Sequence, residues 1–138
     1  MTRLHSIRLF ALPLLAVLFS TYSVPAIAYE PPAVQTQGDI SYITGGIGER
    51  ETKDLRSQRG KYGLRIVNAG AKGGFTGSTH ITIKDRKGHE MLDTDGGPLF
   101  YANLPAGKYT VIATTEEHKQ TKKIIIARHK PTNLRFVW

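Results

Sequence analysis

The sequence predicts an all-β fold, a β-sandwich or small barrel of about seven to eight short strands with one short surface helix. Beyond residue 61, apolar and polar side chains alternate in short segments, which is typical of half-buried strands. Turns rich in glycine and proline separate these segments. The chain has 138 residues and no cysteine. One well-packed core must therefore stabilise the fold without disulfides.

The alternation places strands at 39–44, 62–68, 78–85, 89–92, 99–104, 109–114, 122–127 and 132–138. Within the predicted strand 62–68, Tyr62 is expected to share a face with Leu64. Asp93–Pro98 has the composition of a turn. Ile124-Ile125-Ile126 is apolar on both faces, which indicates a central strand. The predicted core consists of Leu64, Ile66, Ile81, Ile83, Leu104, Tyr109, Val111, Ile124, Ile126, Leu134 and Phe136.

Glu49–Arg59 is the one stretch with helical character. Its acids come early and its arginines late, which suits the helix dipole. Gly60 is expected to follow the helix in the left-handed conformation that often ends helices. Leu55 is the single strongly apolar residue within it, so the helix is expected to lie on the surface.

The N-terminal residues have the features of a secretory signal peptide. Arg3 and Arg8 precede an apolar run from Leu9 to Phe19, and Ala26-Ile27-Ala28 matches a cleavage site. The run is about half the roughly 20 residues that a membrane span needs. We therefore expect a signal peptide over 1–28, a periplasmic location, an extended arm over 29–38 and the sandwich domain over 39–138.

The chain is strongly basic. Lys+Arg total 19 against 11 for Asp+Glu, a net charge of +8. Removal of Arg3 and Arg8 with the signal peptide leaves +6. An exported basic protein is attracted to acidic polymers and lipid headgroups, whereas nucleic acid is not expected there. The alternative is a solvated face that maintains solubility. The predicted contacts for an anionic ligand lie at two turns: Lys84, Arg86 and Lys87, and Lys119, Lys122 and Lys123.

A glycine-rich loop follows the first predicted strand. Gly45, Gly46 and Gly48 precede the predicted helix, where backbone N–H groups are able to hold an anion. The loop lacks the Lys-Ser/Thr pair of a P-loop, and Glu49 and Glu51 would repel a phosphate. A turn that changes the chain direction is therefore the favoured alternative.

Four histidines follow the predicted signal peptide: His80, His89, His118 and His129. None has the spacing of a known metal or protease motif. His80 and His89 lie on adjacent predicted strands and are expected to form at most a surface pair. Asp93–Gly96 is similar to the start of a calcium loop but lacks the later ligands. The sequence therefore predicts no metal site, no cofactor and no catalytic residue.

Three short motifs carry a resemblance to a known family. They are Asp85–Gly88, Asp95–Pro98 and Leu104–Val111, the last with the pattern L-P-x-G-x-Y-x-V. Pro105 sets a turn in this pattern, and Gly107 is expected to hold a position that excludes a side chain. The region 88–127 resembles carboxypeptidase regulatory-like domains, which are transthyretin-like Greek-key sandwiches.

Most of 40–138 is similar to small bacterial periplasmic proteins of this family, through Gly45–Glu49, Tyr62–Arg65 and Leu134–Trp138. The resemblance implies a fold and a location but no catalytic residue, because the domain is an accessory to the catalytic unit in metallocarboxypeptidases. We therefore expect a non-catalytic accessory of the cell envelope that binds another envelope protein through edge strands and loops. One alternative is binding of an anionic glycan or lipid headgroups at the basic turns. Another is a small hydrolase, which requires a pocket that brings His80 or His89 to a carboxylate.

Overall fold

A computed structural model describes residues 21–138, so most of the predicted signal peptide lies outside the described residues. This part of the chain forms two β-sheets and one helix, which confirms the predicted all-β sandwich. The helix, α1, spans Glu49–Gln58, and a 3₁₀ turn follows at Arg59–Lys61. The strands are β1 (Gln35–Gln37), β2 (Ile40–Gly45), β3 (Leu64–Ala69), β4 (Thr79–Asp85), β5 (Glu90–Gly96), β6 (Leu99–Asn103), β7 (Gly107–Thr114), β8 (Lys119–Ile126) and β9 (Thr132–Val137).

The strands divide into a five-stranded sheet A and a four-stranded sheet B. Sheet A has the order β1-β2-β6-β3-β9, and sheet B has the order β5-β4-β7-β8. Neighbouring strands are antiparallel except β3 and β9, which run parallel. The described residues contain nine strands, one more than the eight segments that the alternation predicted. The additional strand is β1, which lies within the segment expected to be an extended arm.

The main core lies between the two sheets. Nine of the predicted core residues are buried in it, and Leu104 and Leu134 pack at its margin. The alternation of side chains along each strand therefore predicted this core correctly. Phe100 lies outside the predicted core set, yet it is fully buried and stacks on Tyr42 with ring centroids 5.4 Å apart.

A second, smaller cluster joins α1 to the outer face of sheet A. Leu55 is fully buried there against Ile43, Leu99 and Tyr101. Tyr62 belongs to this cluster, so the expectation that it shares a face with Leu64 is wrong. The reason is that β3 begins only at Leu64, and Tyr62 still belongs to the turn that ends the helical segment.

The end of the helix also differs from the prediction. Gly60 lies inside the 3₁₀ turn and has no left-handed φ. The N–H of Tyr62 bonds to the carbonyl of Arg59 at 3.2 Å, so a tightened last turn closes the helix instead of a left-handed glycine.

Two predictions in sheet B are wrong. Most of Asp93–Pro98 is not a turn, because β5 continues to Gly96 and Asp93 pairs with Thr82 of β4. The Ile124–Ile126 segment is not in a central strand either. It belongs to β8 at the edge of sheet B, and Ile125 is 64% exposed. Ile125 is exposed because it alternates with the buried Ile124 and Ile126 and therefore faces the outer side of sheet B. The strand β8 is an edge because β9, the next strand along the chain, pairs with β3 in the other sheet.

The turns before β6 and β7 are held in different ways. A Cβ on Gly97 would lie 2.5 Å from the carbonyl oxygen of Gly45, so the two backbones meet where a side chain does not fit. At the predicted hairpin, the Tyr109 hydroxyl donates to the Pro105 carbonyl at 2.7 Å. The expectation for Gly107 is wrong, because a Cβ there would lie 3.6 Å from the Tyr109 ring, an ordinary contact.

One open side of the sandwich is closed where β1 meets β5, which we call the β1–β5 seam. Gln37 bonds through its side-chain amide to the backbone of Asp93. The Tyr42 hydroxyl donates to Thr94 Oγ1 at 3.3 Å. The seam joins the edge of sheet A to the edge of sheet B.

The opposite side is closed in the same way where β8 meets β9, the β8–β9 seam. Gln120 Nε2 donates to the carbonyl of Val137 at 2.6 Å. Lys122 Nζ donates to the carbonyl of Arg135 at 2.6 Å. Side chains of sheet B thus satisfy backbone groups along the edge strand of sheet A.

The segment before β1 is also held to the domain. The Tyr29 hydroxyl donates to Asp54 Oδ2 at 2.7 Å, and the Arg50 guanidinium lies 4.3 Å from the Tyr29 ring centroid. Desolvation and the hydrogen bond to Asp54 raise the pKa of Tyr29 to about 12. Tyr29 therefore links the N-terminal segment to α1.

Candidate anion-binding surface

The structure brings several of the predicted basic residues to one concave surface on sheet B. Two adjoining cavities of about 420 Å³ and 640 Å³ share Arg86, Lys108 and Tyr109. We call this surface the lysine cleft. Its basic residues are Arg86, Lys87, Lys108 and Lys123.

The register of sheet B explains how residues from separate turns meet. Lys84 of β4 and Lys123 of β8 both pair with Thr110 of the intervening β7. Because neighbouring strands lie about 4.8 Å apart, the Cα atoms of the two lysines lie roughly 10 Å apart. Lys108 pairs with Ile125, so an exposed apolar side chain borders the cationic surface.

The cations of the lysine cleft have no carboxylate partner. Within residues 21–138, ion pairs closer than 4.0 Å involve His80 and His89 alone, and none involves a lysine or an arginine. Glu90 pairs in register with Lys84 and does not line the cleft. The ammonium groups of Lys108 and Lys123 are thus available to an external anion.

Asp85 is the one carboxylate that lines the cleft, and its role is to hold the β4–β5 turn. Its Oδ1 accepts the backbone N–H groups of Lys87 at 2.8 Å and His89 at 2.9 Å. Burial acts to raise the pKa of Asp85, but these hydrogen bonds outweigh it and lower the pKa. Asp85 therefore remains ionised as part of the turn.

Three of the predicted contacts do not line the cleft: Lys84 of β4, which pairs with Thr110, and Lys119 and Lys122. Lys119 pairs with Thr114 at the opposite end of β8. Lys122 belongs to the β8–β9 seam, and its Nζ lies 5.1 Å from the ring centroid of Phe136. Lys108 was not predicted, although its position next to the core residue Tyr109 indicates an outward-facing side chain.

The glycine loop is filled by the chain's own carboxylate. Gly48 precedes α1 with φ 94°. A Cβ on Gly45 would collide with Glu51 Oε1, which lies directly over the loop. Thr52 Oγ1 donates to the carbonyl of Gly46 at 3.0 Å. A negative charge at this position favours a direction-changing turn over a backbone anion site.

The imidazole of His80 lies between two carboxylates of β5. Its Nδ1 is 2.7 Å from Asp95 Oδ1, and its Nε2 is 2.7 Å from Asp93 Oδ1. The hydrogen bonds to Asp95 and Asp93 raise the pKa of His80. Thr82 and His80 donate to Asp93 and lower the pKa of its carboxyl.

His89 lies at the other end of the β4–β5 hairpin, so it does not meet His80. Its Nδ1 is 3.3 Å from Asp85 Oδ2, and both residues line the lysine cleft. This is the histidine–carboxylate combination that the hydrolase alternative requires. The hydroxyl groups that line the cleft are those of Tyr109 and Thr110, and neither bonds to His89 among the described residues.

The remaining histidines, His118 and His129, are exposed in loops. No group of three or more potential metal ligands is found among residues 21–138. Helix α1, the single α-helix of this region, is too short and too polar to cross a membrane.

In comparisons with known proteins, no family model, no curated protein and no solved structure matches this chain.

Proposed function

We propose that the protein is an exported, non-catalytic binding protein of the periplasm that holds an acidic polymer in the lysine cleft. One observation carries this proposal: Arg86, Lys87, Lys108 and Lys123 converge on one concave surface without a carboxylate partner. Unpaired cations around a concavity raise the local concentration of anions and strengthen their binding.

The two seams favour this function over a protein partner that binds by strand addition. Addition of a strand requires free backbone groups at a sheet edge. The backbone of Asp93 on β5 is already bonded to Gln37, and the carbonyls of Arg135 and Val137 on β9 are bonded to side chains of β8. Recognition through the outer faces is therefore favoured.

The accessory role rests on the resemblance to the carboxypeptidase regulatory-like family, and the hairpin around Tyr109 is the part of that resemblance with a clear structural reason. The bond from the Tyr109 hydroxyl to Pro105 gives the L-P-x-G-x-Y pattern a structural purpose, because it ties the strand to its own turn. A domain of that family in the periplasm would present ligands to a partner or hold the protein near an acidic polymer.

Polygalacturonate, a polymer of uronic acids, provides a defined test. Binding of the full chain is measured by calorimetry for the wild type, for K108Q/K123Q and for the matched control K53Q/K130Q, which removes the same charge outside the cleft. A lysine near an anionic surface contributes about 1 kcal/mol. We expect K108Q/K123Q to weaken binding about tenfold or more and the control to weaken it far less.

Salt and lipid measurements complete the test. We expect binding to the polymer to be lost by roughly 0.5 M salt, where charges on exposed groups are strongly screened. Equal weakening by the two double variants would overturn the lysine cleft as the site. Binding to phosphatidylglycerol vesicles without binding to polygalacturonate would replace the polymer by a membrane surface as the ligand.

A further inference from the structure

A second basic concavity lies on the outer face of sheet A, away from the lysine cleft. Its volume is about 700 Å³, and it runs between α1 and the glycine-rich loop 70–78. We call it the arginine groove. Its lining residues are Arg56, Arg59, Val67, Ala69, Gly73, Gly74, Phe75, Leu99, Tyr101 and Arg135.

The groove exists because α1 covers only part of the sheet. Leu55 packs over Leu99 and Tyr101, so the helix lies on the side of β2 and β6. Val67 of β3 pairs with Leu99 on one side and with Arg135 of β9 on the other. The floor of the groove is thus the row of paired residues Leu99, Val67 and Arg135. Arg135 lies on the edge strand β9, so the groove is open on that side.

The helix and the loop form the two walls. Arg56 and Arg59 are three residues apart, which places them on neighbouring positions of one helix face. The loop is held by a bridge between Ala69 and Phe75 and by the bond from Gly70 N–H to the carbonyl of Gly74 at 2.7 Å.

Phe75 adds an exposed aromatic ring to the groove. It is 42% exposed, and the Arg56 guanidinium lies 5.7 Å from its ring centroid. Exposed phenylalanine beside a concave apolar floor is a common element of ligand sites, since such sites combine apolar walls with a few polar groups.

The positive charge of the groove is not compensated. None of its ten lining residues is acidic, and no carboxylate of residues 21–138 lies within 4.0 Å of these arginines. The Tyr101 side chain packs beneath them without a hydrogen bond to any described residue. Burial raises the pKa of Tyr101, while the nearby charges of Arg56, Arg59 and Arg65 oppose that rise.

We propose that the arginine groove binds a small ligand whose carboxylate or phosphate group is carried on an apolar ring. Guanidinium groups are planar donors that match both oxyanions with paired hydrogen bonds. The oxyanion would contact Arg56, Arg59 and Arg135, and the ring would pack on Val67 and Phe75. This site differs chemically from the lysine cleft, whose cations are three lysines and one arginine, and it does not depend on the proposed polymer binding.

The test is an NMR titration of the full chain with four probes: phenyl phosphate, benzoate, inorganic phosphate and benzyl alcohol. We expect phenyl phosphate or benzoate to shift the backbone amides of Val67, Ala69, Gly74 and Tyr101. The relative affinity of these two probes identifies phosphate or carboxylate as the preferred group. Inorganic phosphate is expected to bind more weakly, and benzyl alcohol is expected not to bind.

Substitutions test separately the contact of the arginines with the oxyanion and the contact of Phe75 with the ligand ring. R56Q/R135Q is expected to weaken binding of the ring-bearing anions at least tenfold, and R56K/R135K to weaken it less because the charge remains. F75A is expected to weaken the ring-bearing anions without changing the affinity for inorganic phosphate. K53Q/K130Q, which removes two positive charges outside both the groove and the lysine cleft, is the control and is expected to leave the affinities measured at the groove amides unchanged. Thermal melting verifies that each variant is folded.

Three outcomes would overturn the proposal. The first is the absence of amide shifts around the groove with both ring-bearing anions. The second is an equal loss of affinity in K53Q/K130Q and R56Q/R135Q, which would indicate nonspecific attraction to net charge. The third is binding of benzyl alcohol as tight as that of phenyl phosphate, which would remove the oxyanion from the recognition.

Discussion

The side-chain amide of Gln37 bonds to both backbone groups of Asp93. Its Oε1 accepts the Asp93 N–H at 2.6 Å, and its Nε2 donates to the Asp93 carbonyl at 3.3 Å. One side chain of β1 thus takes the place that a neighbouring strand would occupy beside β5. Because β1 and β5 belong to different sheets, this contact ties the two layers of the sandwich together at their edges.

Gln37→Ala is expected to lower the free energy of unfolding by about 1 kcal/mol, since a typical hydrogen bond contributes about that much net. Urea denaturation measures the loss, and hydrogen exchange is expected to be faster at the Asp93 amide. Thr36→Ala, a neighbouring exposed change without a side-chain hydrogen bond, is the control. Unchanged exchange at Asp93 in Q37A would contradict the role of the seam.

Lys122→Met tests the opposite seam. Methionine keeps the apolar stem but loses the donor to Arg135, so we expect a loss of stability of roughly 0.5–1.5 kcal/mol. Binding of polygalacturonate is expected to stay unchanged, because Lys122 does not line the lysine cleft. K123M is the matched control, with the reverse expectation: weaker binding and little change in stability. A weaker affinity in K122M would assign this lysine to the ligand instead.

His80 is expected to make stability depend on pH. Its pKa in the folded protein is raised above the ordinary value of 6.5 by Asp95 and Asp93. The stabilisation is therefore complete below pH 6.5 and is lost as the pH rises through the raised pKa. The side chain is 42% exposed, so the effect is expected to be small, a few tenths to about 1 kcal/mol.

An NMR titration of the imidazole checks this directly. The pKa of His80 is expected to lie above 6.5 in the wild type and to fall in D95N, which removes one acceptor. A pKa of His80 that is unchanged in D95N would show that the Asp95 contact does not hold the proton.

Two glycine substitutions are expected to have opposite outcomes. Gly97→Ala places a methyl group against the Gly45 backbone, so we expect a loss of about 1–3 kcal/mol, as for other overpacked sites. Gly107→Ala places its methyl group at an ordinary distance from the Tyr109 ring and is expected to be neutral or slightly stabilising. Urea denaturation of both variants measures the difference, and equal stability would contradict the close approach of Gly97 to Gly45.

Leu55→Ala is expected to loosen α1 from sheet A. Leu55 is fully buried in the second cluster, and removal of such a side chain costs about 2–5 kcal/mol. Lys53→Ala, on the exposed side of the same helix, is the control and is expected to change stability by less than about 0.5 kcal/mol. Hydrogen exchange along α1 distinguishes local loosening from global unfolding.

The period of two along the strands was enough to predict the main core, because burial of one face imposes that period directly. Ile81, Ile83 and Val111 illustrate this, since each lies fully buried where the alternation placed it. The same reasoning did not place Ile125, because three consecutive isoleucines are compatible with an edge strand as well as a central one. Which strands become edges depends on long-range pairing, here that of β9 with β3.

The candidate sites depend even more on long-range pairing. The sequence grouped Arg86 with Lys87 at one turn and Lys123 at another, and their meeting at one cleft follows from the pairing of β4, β7 and β8. Arg59 and Arg135 are far apart in sequence, so nothing in the sequence predicted that they would line the same groove. The length of β5 was also missed, because Asp93 and Asp95 disfavour a strand unless side chains such as His80 satisfy them.

The two seams also bear on how copies of this protein behave together. Sandwich edges are usual starting points for cross-β growth, in which each added chain bonds to exposed backbone groups of the last one. Here the carbonyls of Asp93, Arg135 and Val137 are already bonded to side chains of the same molecule. A second copy must break these bonds before it pairs with β5 or β9 at these positions. The side chains that join the two sheets thus also oppose fibril formation at high concentration.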